Sequence, residues 1–264
     1  MTPASPFETV GYEKRGPIAY VTLDRPAKLN SYNVQMRDDL HQVWSAVRDD
    51  PEVRVAILAG AGERAFCVGA DLTEFGTAPS PVVARQVRFE RPVWELWLGL
   101  RQPLIAAIHG YCLGSGIEMA LCCDLRLASE DAQFGLPEVG LGLLAAAGGT
   151  QTVPRALGYS VGLNLLLTGE VINAREALRV GLVNQVMPRA ELLPRAEALA
   201  QRVLTLAPKA LEAIKRSVRM GMDLPLPQAL ELERRLSRRV GASRDAREGV
   251  AAWREGRPPV FTGE

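Results

Sequence analysis

Residues 104–123 read LIAAIHGYCLGSGIEMALCC, and this stretch decides the fold. Leu104-Ile105-Ala106-Ala107-Ile108 is an unbroken apolar run of strand length, the pattern of a strand buried on both faces of its sheet. A glycine-rich turn, Gly110 to Gly116, leads from it into a helix-like stretch from Ser115 to Cys123. Downstream, Leu125-Arg126-Leu127-Ala128 reads as a further strand. Upstream, Ile18-Ala19-Tyr20-Val21-Thr22-Leu23 and Val53-Arg54-Val55-Ala56-Ile57-Leu58 are β-rich runs ended by Asp24-Arg25-Pro26 and Gly60-Ala61-Gly62. Between them, Met36, Leu40, Val43, Trp44 and Val47 recur at helical spacing. Strand, helix, strand, repeated, predicts an α/β chain with much parallel pairing.

The pattern changes at about residue 190. From Ala190 onward it is almost wholly helical, with breaks near Ala207-Pro208, Leu224-Pro225 and Gly241-Ala242. The expected organisation is an α/β core over 1–189 and a helical C-terminal region over 190–264. Ala78-Pro79-Ser80-Pro81 reads as a surface loop, and no fixed-period repeat is present.

A chain of 264 residues with 47% hydrophobic and 23% charged residues has the composition of an ordinary globular protein. A net charge of +1 argues against a dedicated nucleic-acid binder. Cys67, Cys112, Cys122 and Cys123 have no zinc-like spacing, which suits a reduced, cytoplasmic chain without a structural metal. The first residues lack a basic end followed by an apolar run, and no apolar stretch reaches bilayer-spanning length uninterrupted, so neither a secretory signal nor a membrane association is expected.

The most informative feature is missing charge. From Gln102 to Cys123, Glu118 is the only Asp, Glu, Lys or Arg; from Ala132 to Pro154, Glu138 is the only one. A carboxylate in a buried run has its pKa raised by desolvation, which prepares it for proton transfer near neutral pH. Each has a second reading as an exposed acid at a helix start, where the helix dipole favours it. Two such residues together favour function. The turn Gly110-Tyr111-Cys112-Leu113-Gly114-Ser115-Gly116 leaves backbone N–H groups free at a helix N-terminus, where an anion can sit. Its glycine spacing is not that of a dinucleotide fold, and no Gly-Lys-Ser/Thr follows. Ser115 lacks the flanking glycines of a nucleophile elbow, since Leu113 and Ile117 hold those positions. His41 lies in an amphipathic helix and His109 ends a buried strand; both read as structural, with His109 a satisfied polar side chain.

The chain resembles the enoyl-CoA hydratase/isomerase superfamily, the crotonase family, over nearly its whole length. The matching stretches are Leu23-Asp24-Arg25-Pro26 with Asn30, Ala65-Phe66-Cys67-Val68-Gly69-Ala70-Asp71-Leu72, Gly110 to Asp124, and Ala132-Gln133-Phe134-Gly135-Leu136-Pro137-Glu138. Further on come Gly148-Gly149-Thr150-Gln151, Leu167-Thr168-Gly169, Ala174-Arg175-Glu176-Ala177, Gly181-Leu182-Val183-Asn184, Glu248-Gly249 and Arg257-Pro258-Pro259-Val260-Phe261. No single piece is decisive; the ordered set is specific.

The resemblance implies a spiral of repeated ββα units and an acyl-CoA thioester as substrate, with no cofactor besides the coenzyme A it carries. It implies an oxyanion hole from the N–H groups of Ala70 and Ser115, with Glu118 as base toward the attacking water and Glu138 as proton donor to the α-carbon. Having both glutamates implies hydration of a trans-2-enoyl-CoA; an isomerase, or a silent acyl-CoA-binding subunit, is the alternative. Arg25, Lys28, Ala65, Val68, Ala70, Asp71, Leu72, Gly114 and Phe261 are the substrate-binding positions it implies. Asp71 also reads as the cap of the following helix. In relatives the helical region builds homotrimers or dimers of trimers and covers the active site, and Arg234/Arg238 and Arg235/Arg239 read as a solvated or subunit-contact face. Three positions depart from the family: Ser115 at a glycine, whose Cβ restricts left-handed backbone; Ala145-Ala146 at Pro-Gly; and Thr73 at a lysine. Phe89, Trp94 and Trp97 are candidates to line the acyl pocket, or to be core.

Overall fold

The computed structural model describes residues 7–89 and 91–264, with only the backbone for 87–89. The chain opens with an antiparallel hairpin of β1 (Val10–Arg15) and β2 (Ile18–Leu23), then α1 (Val34–Asp49), whose N-cap Asn33 accepts a hydrogen bond from the Met36 N–H at 2.9 Å. Strands then come in consecutive pairs: β3 (Val55–Gly60) with β4 (Ala65–Cys67), β5 (Leu104–Ile108) with β6 (Tyr111–Leu113), and β7 (Leu125–Ser129) with β8 (Gln133–Gly135). Helices α2 (Pro81–Phe89) and α3 (Val93–Leu98) separate the first two pairs, and α4 (Ser115–Cys122) separates the second two. After the third pair come α5 (Gly149–Leu157), α6 (Tyr159–Thr168), β9 (Val171–Asn173), α7 (Ala174–Arg179) and β10 (Gln185–Met187). Four helices finish the chain: α8 (Arg189–Leu204), α9 (Pro208–Gly221), α10 (Leu226–Gly241) and α11 (Arg244–Glu255).

Within each pair the first strand joins one sheet and the second strand another. The larger sheet has the order β1-β2-β3-β5-β7-β10, parallel from β2 onward; the smaller has the order β4-β6-β8-β9. This alternation is the spiral of ββα units. Because β4, β6 and β8 are parallel neighbours, the segments that leave their C-terminal ends emerge along one edge. Those segments carry Ala70, Ser115 with Glu118, and Glu138. Topology alone therefore gathers three stretches that lie far apart in the chain.

The larger sheet is buried on both faces, as the unbroken apolar run of β5 requires. Leu104, Ala106 and Ile108 point into a core shared with Leu40, Val43, Trp44 and Trp97. Ile105 and Ala107 point the other way, with Val55, Ile57 and Leu127, into a layer closed by Leu192, Ala196, Ala200 and Val203 of α8. Period-two alternation therefore serves two cores at once.

Three boundaries differ from expectation. The second β-rich run enters the ladder at Val55 rather than Val53, because Arg54 N–H and Val55 N–H both turn to the Pro17 carbonyl. Pro81 is not loop but the first residue of α2, where its missing N–H costs nothing. Cys123 is the extended C-cap of α4.

Candidate active site

The site is built on the N-terminus of α4. Gly114 joins β6 to α4 at φ +50°, and a Cβ there would lie 2.6 Å from Glu138 Oε1 and 3.5 Å from the Gly69 Cα. Only glycine allows both the angle and the approach. The same close packing brings the turn after β4, the start of α4 and Glu138 together. Ser115 is the first residue of α4 and is outside the left-handed region, so the restriction expected from its Cβ does not arise. Its N–H has no partner within the helix, as for any first-turn amide.

Ala70 lies in the facing turn. It forms a parallel bridge with Tyr32 through Tyr32 N–H to Gly69 O and Asp71 N–H to Tyr32 O, both 2.8 Å. That pattern leaves the Ala70 N–H unused, and among the described residues it has no hydrogen-bond acceptor. Two unsatisfied amides thus flank the contact between Gly69 and Gly114.

Glu118, one turn into α4, is 2% exposed. Its Oε1 accepts the Gly149 N–H at 2.8 Å and the Ala147 N–H at 2.9 Å. Burial raises its pKa, the Glu138 charge raises it further, and the Gly149 and Ala147 amides and the Ser115 side chain oppose the shift. Glu138 sits in the 3-10 turn Pro137–Leu141; burial raises its pKa, and its buried Oε2 has no partner among the described residues. The two carboxyls are near enough to feel each other, but their environments are unequal. Donated hydrogen bonds favour the anionic form of Glu118, whereas Glu138 has desolvation with little to offset it. Burial therefore holds both carboxyls above the ordinary carboxylate range, Glu118 despite its two amide donors.

The other sequence-derived positions divide. Val68, Ala70, Asp71 and Gly114 are in or beside the turn–helix contact; the buried Ala65 begins β4 below it, and Leu72, half exposed, follows it. Asp71 caps the short helix Leu72–Glu74, accepting the Thr73 N–H at 3.2 Å and the Thr73 hydroxyl at 2.6 Å, and pairs with Arg25 at 2.9 Å. The Thr73 contacts and then Arg25 hold its pKa below the usual range. Arg25 is committed inward, to Asp71 and to the Ser31 carbonyl and hydroxyl, while Lys28 is exposed without an ion pair among the described residues. Phe261 is not brought to the carboxyls. It borders a cavity of about 260 Å³ with Ala207, Val240, Gly249 and Val250, which no residue of the turn–helix contact lines.

Trp97 is core: fully buried, its ring 4.6 Å from that of Trp44 and stacked on Trp94 at 6.1 Å. Trp94, half-buried, reaches Tyr32 at 5.6 Å; the Phe89 side chain lies outside the described residues. His109 is buried, and its pKa is lowered by burial and then by Arg189, but its Nε2 has no partner among the described residues. The expectation of a satisfied histidine is thus met only in part: the Gly62 backbone and the Asp131 and Glu63 charges oppose the shift, but Nε2 stays unpaired among the described residues.

Sequence reasoning missed the clasp on Glu118 by Ala147 and Gly149. Its signal was the run Ala145-Ala146-Ala147-Gly148-Gly149, since a Cβ on Gly149 would lie 2.9 Å from Glu118 Oε1.

Comparisons with known proteins agree with this fold. A family model described as Enoyl-CoA hydratase/isomerase matches residues 13–264. The sequence is 41% identical to the (E)-benzylidenesuccinyl-CoA hydratase of Thauera aromatica, over 93% of this chain and 96% of that protein. It is 37% identical to the crotonyl-CoA hydratase of Syntrophomonas wolfei, over 97% and 98%. Among solved structures, an enoyl-CoA hydratase from Bacillus anthracis superposes with a TM-score of 0.92 at 34% identity, over 97% and 100%.

Proposed function

The chain belongs to the enoyl-CoA hydratase/isomerase family, and from that premise we propose how it works: it is a hydro-lyase that adds water to the double bond of a trans-2-enoyl-CoA, giving a 3-hydroxyacyl-CoA. The observation that carries the mechanism is the unequal pair, Glu118 held by two amides and Glu138 with an unpartnered buried oxygen. The thioester oxygen takes the Ala70 and Ser115 N–H groups. Glu118 removes a proton from water as its oxygen bonds to the β-carbon, and the electrons pass to the thioester oxygen as an enolate. Glu138 then protonates the α-carbon, and a proton moving from Glu118 to Glu138 resets the pair. In other enzymes one fixed oxyanion donor is worth about 3–4 kcal/mol of barrier. Double-bond isomerisation needs no water-activating base, so the clasped Glu118 favours hydration.

Lys28, exposed beside the turn at Pro26–Lys28, is the cation proposed for the coenzyme A phosphates, with Arg25 holding the turn beneath it. The scheme uses no cofactor beyond the coenzyme A of the substrate. A homotrimer or dimer of trimers is proposed from the exposed apolar side chains of α9 and α10. Four free, buried thiols fit a reducing cytoplasm, and no helix among the described residues is long and apolar enough to cross a membrane.

The test is loss of conjugated enoyl-thioester absorbance with crotonyl-CoA and longer homologues. Glu118→Gln and Glu138→Gln are each expected to lower kcat by about a hundredfold or more while binding of the thioester persists, since an amide of the same shape cannot exchange the proton. A variant that keeps most of the wild-type rate removes its residue from the scheme. Tight binding without turnover of any homologue indicates a silent binding subunit.

A further inference from the structure

One strained segment of the fold has no part in the reaction scheme above. Leu29 (φ +53°) and Asn30 (φ +56°) are consecutive, and among the described residues they are the only non-glycine residues in the left-handed region. Such strain persists only where the surroundings over-determine it, and it gathers at functional sites. Asn30 supplies the over-determination. It is fully buried; its Nδ2 donates to the Ala61 and Ala65 carbonyls at 2.9 Å each, and its Oδ1 accepts the Arg25 N–H at 2.9 Å. One side chain thus ties the end of β2 to both sides of the β3–β4 connection.

The left-handed turn lays residues 29–32 alongside 68–71. Val68 N–H donates to Leu29 O at 3.2 Å, Gly69 N–H to the Cys67 sulfur at 3.5 Å, and Asp71 N–H to Tyr32 O at 2.8 Å. Of four successive amides, only that of Ala70 is left over. The Arg25 guanidinium, whose own backbone N–H is held by Asn30, closes the far side by pairing with Asp71.

We propose that Asn30 is a positioning residue for the reaction: by pinning the left-handed turn at 29–30 to the β3–β4 connection, it aims the Ala70 N–H at the thioester oxygen. This rests on the hydratase reading, in which that N–H is an oxyanion donor. Asn30→Gly keeps the backbone freedom and removes all three side-chain bonds. The direct readout is the infrared C=O stretch of [1-13C]butyryl-CoA, a saturated thioester that binds without reacting. In the wild type, binding should move the stretch to lower wavenumber; in Asn30→Gly that shift should fall by about half or more, as one of two donors is misdirected. With crotonyl-CoA, kcat should fall by about tenfold or more while KM changes by less than about threefold.

Asp39→Asn, which weakens the buried anchor of Thr9 on α1, is the control for a plain loss of stability and should keep both the shift and kcat. If Asn30→Gly does not fold, Asn30→Ser, whose hydroxyl can retain one of the three bonds, is measured in the same way. A folded Asn30 variant with the wild-type carbonyl shift overturns the proposal, whatever its kcat, and so does a control that loses the shift equally. The absence of any shift in the wild type also overturns it. A wild type that shifts the carbonyl but hydrates no enoyl-CoA defeats the hydratase reading and leaves the Asn30 assignment standing.

Discussion

Glu118 and Glu138 are held where a carboxylate is poorly solvated, and that has a stability consequence separate from catalysis. Both have folded pKa values raised above the ordinary carboxylate range, chiefly by burial. The folded chain therefore binds protons more tightly at these sites than the unfolded chain does. Their stability contribution is full below the ordinary carboxylate pKa and is lost as pH rises through the raised folded value. Glu138→Gln removes that loss. Its Tm should exceed the wild-type value by a few degrees at about pH 8, and the difference should vanish at about pH 4, below the ordinary value. Equal Tm differences at both pH values would show that its burial does not disfavour the charge. Gly114→Ala should do the opposite, losing stability by about 1–2 kcal/mol in chemical denaturation and most of its turnover, because the added Cβ meets both a forbidden φ and the Glu138 carboxylate. Both glutamates were legible as lone charges in apolar runs. The Ala147 and Gly149 clasp shows in the sequence only as a run of small residues, with no side-chain chemistry to say what its backbone donors hold.

At the scale of elements, legibility followed length. Strands β2, β3, β5 and β7 and the long helices α1 and α8 to α11 show as apolar runs or helical spacing; the six-residue β1, mixed in polarity, went unread, and β4, β6, β8, β9 and β10 have three residues each, too few to show any alternation. The smaller sheet, which gathers the site, was therefore the part hidden inside what reads as glycine turns. Another link between elements was equally silent. Asp124, just after α4, takes Lys215 Nζ at 2.7 Å and Arg219 Nη2 at 2.9 Å, both from α9. Lys215 also donates to Gln102 O, and Arg219 caps the Cys122 carbonyl at the end of α4. Burial lowers the Lys215 pKa, and Asp124 is the countercharge that opposes the shift. Asp124→Asn leaves a buried ammonium without its anion and should cost about 3 kcal/mol or more. In urea denaturation the midpoint should fall with the slope unchanged. A midpoint within error of the wild type would mean that Lys215 finds water once Asp124 is neutral.

For the molecule as a whole, those same anchors make α9 an inverted helix. Its inward contacts include Lys215 and Arg219, and none of its residues is fully buried, while Ile214 at 61% and Val218 at 56% exposure face outward, followed by Met222 at its end. Leu226 and Leu230 of the antiparallel neighbour α10 add to the same character. A soluble helix ordinarily turns its apolar stripe to the core and its charges to water. Here the charges are satisfied inside and the stripe is left over, which is sensible only if another surface covers it, and the proposed occupant is a second copy of this chain. Val218→Glu places a charge in the middle of the stripe without touching Lys215, Arg219 or Asp124. In sedimentation the wild type should run as a trimer or hexamer, and Val218→Glu should shift it toward the single chain with the far-ultraviolet circular dichroism unchanged. A wild type that sediments as one chain at micromolar concentration removes the oligomer from the account and leaves α9 with an apolar face that this fold does not explain.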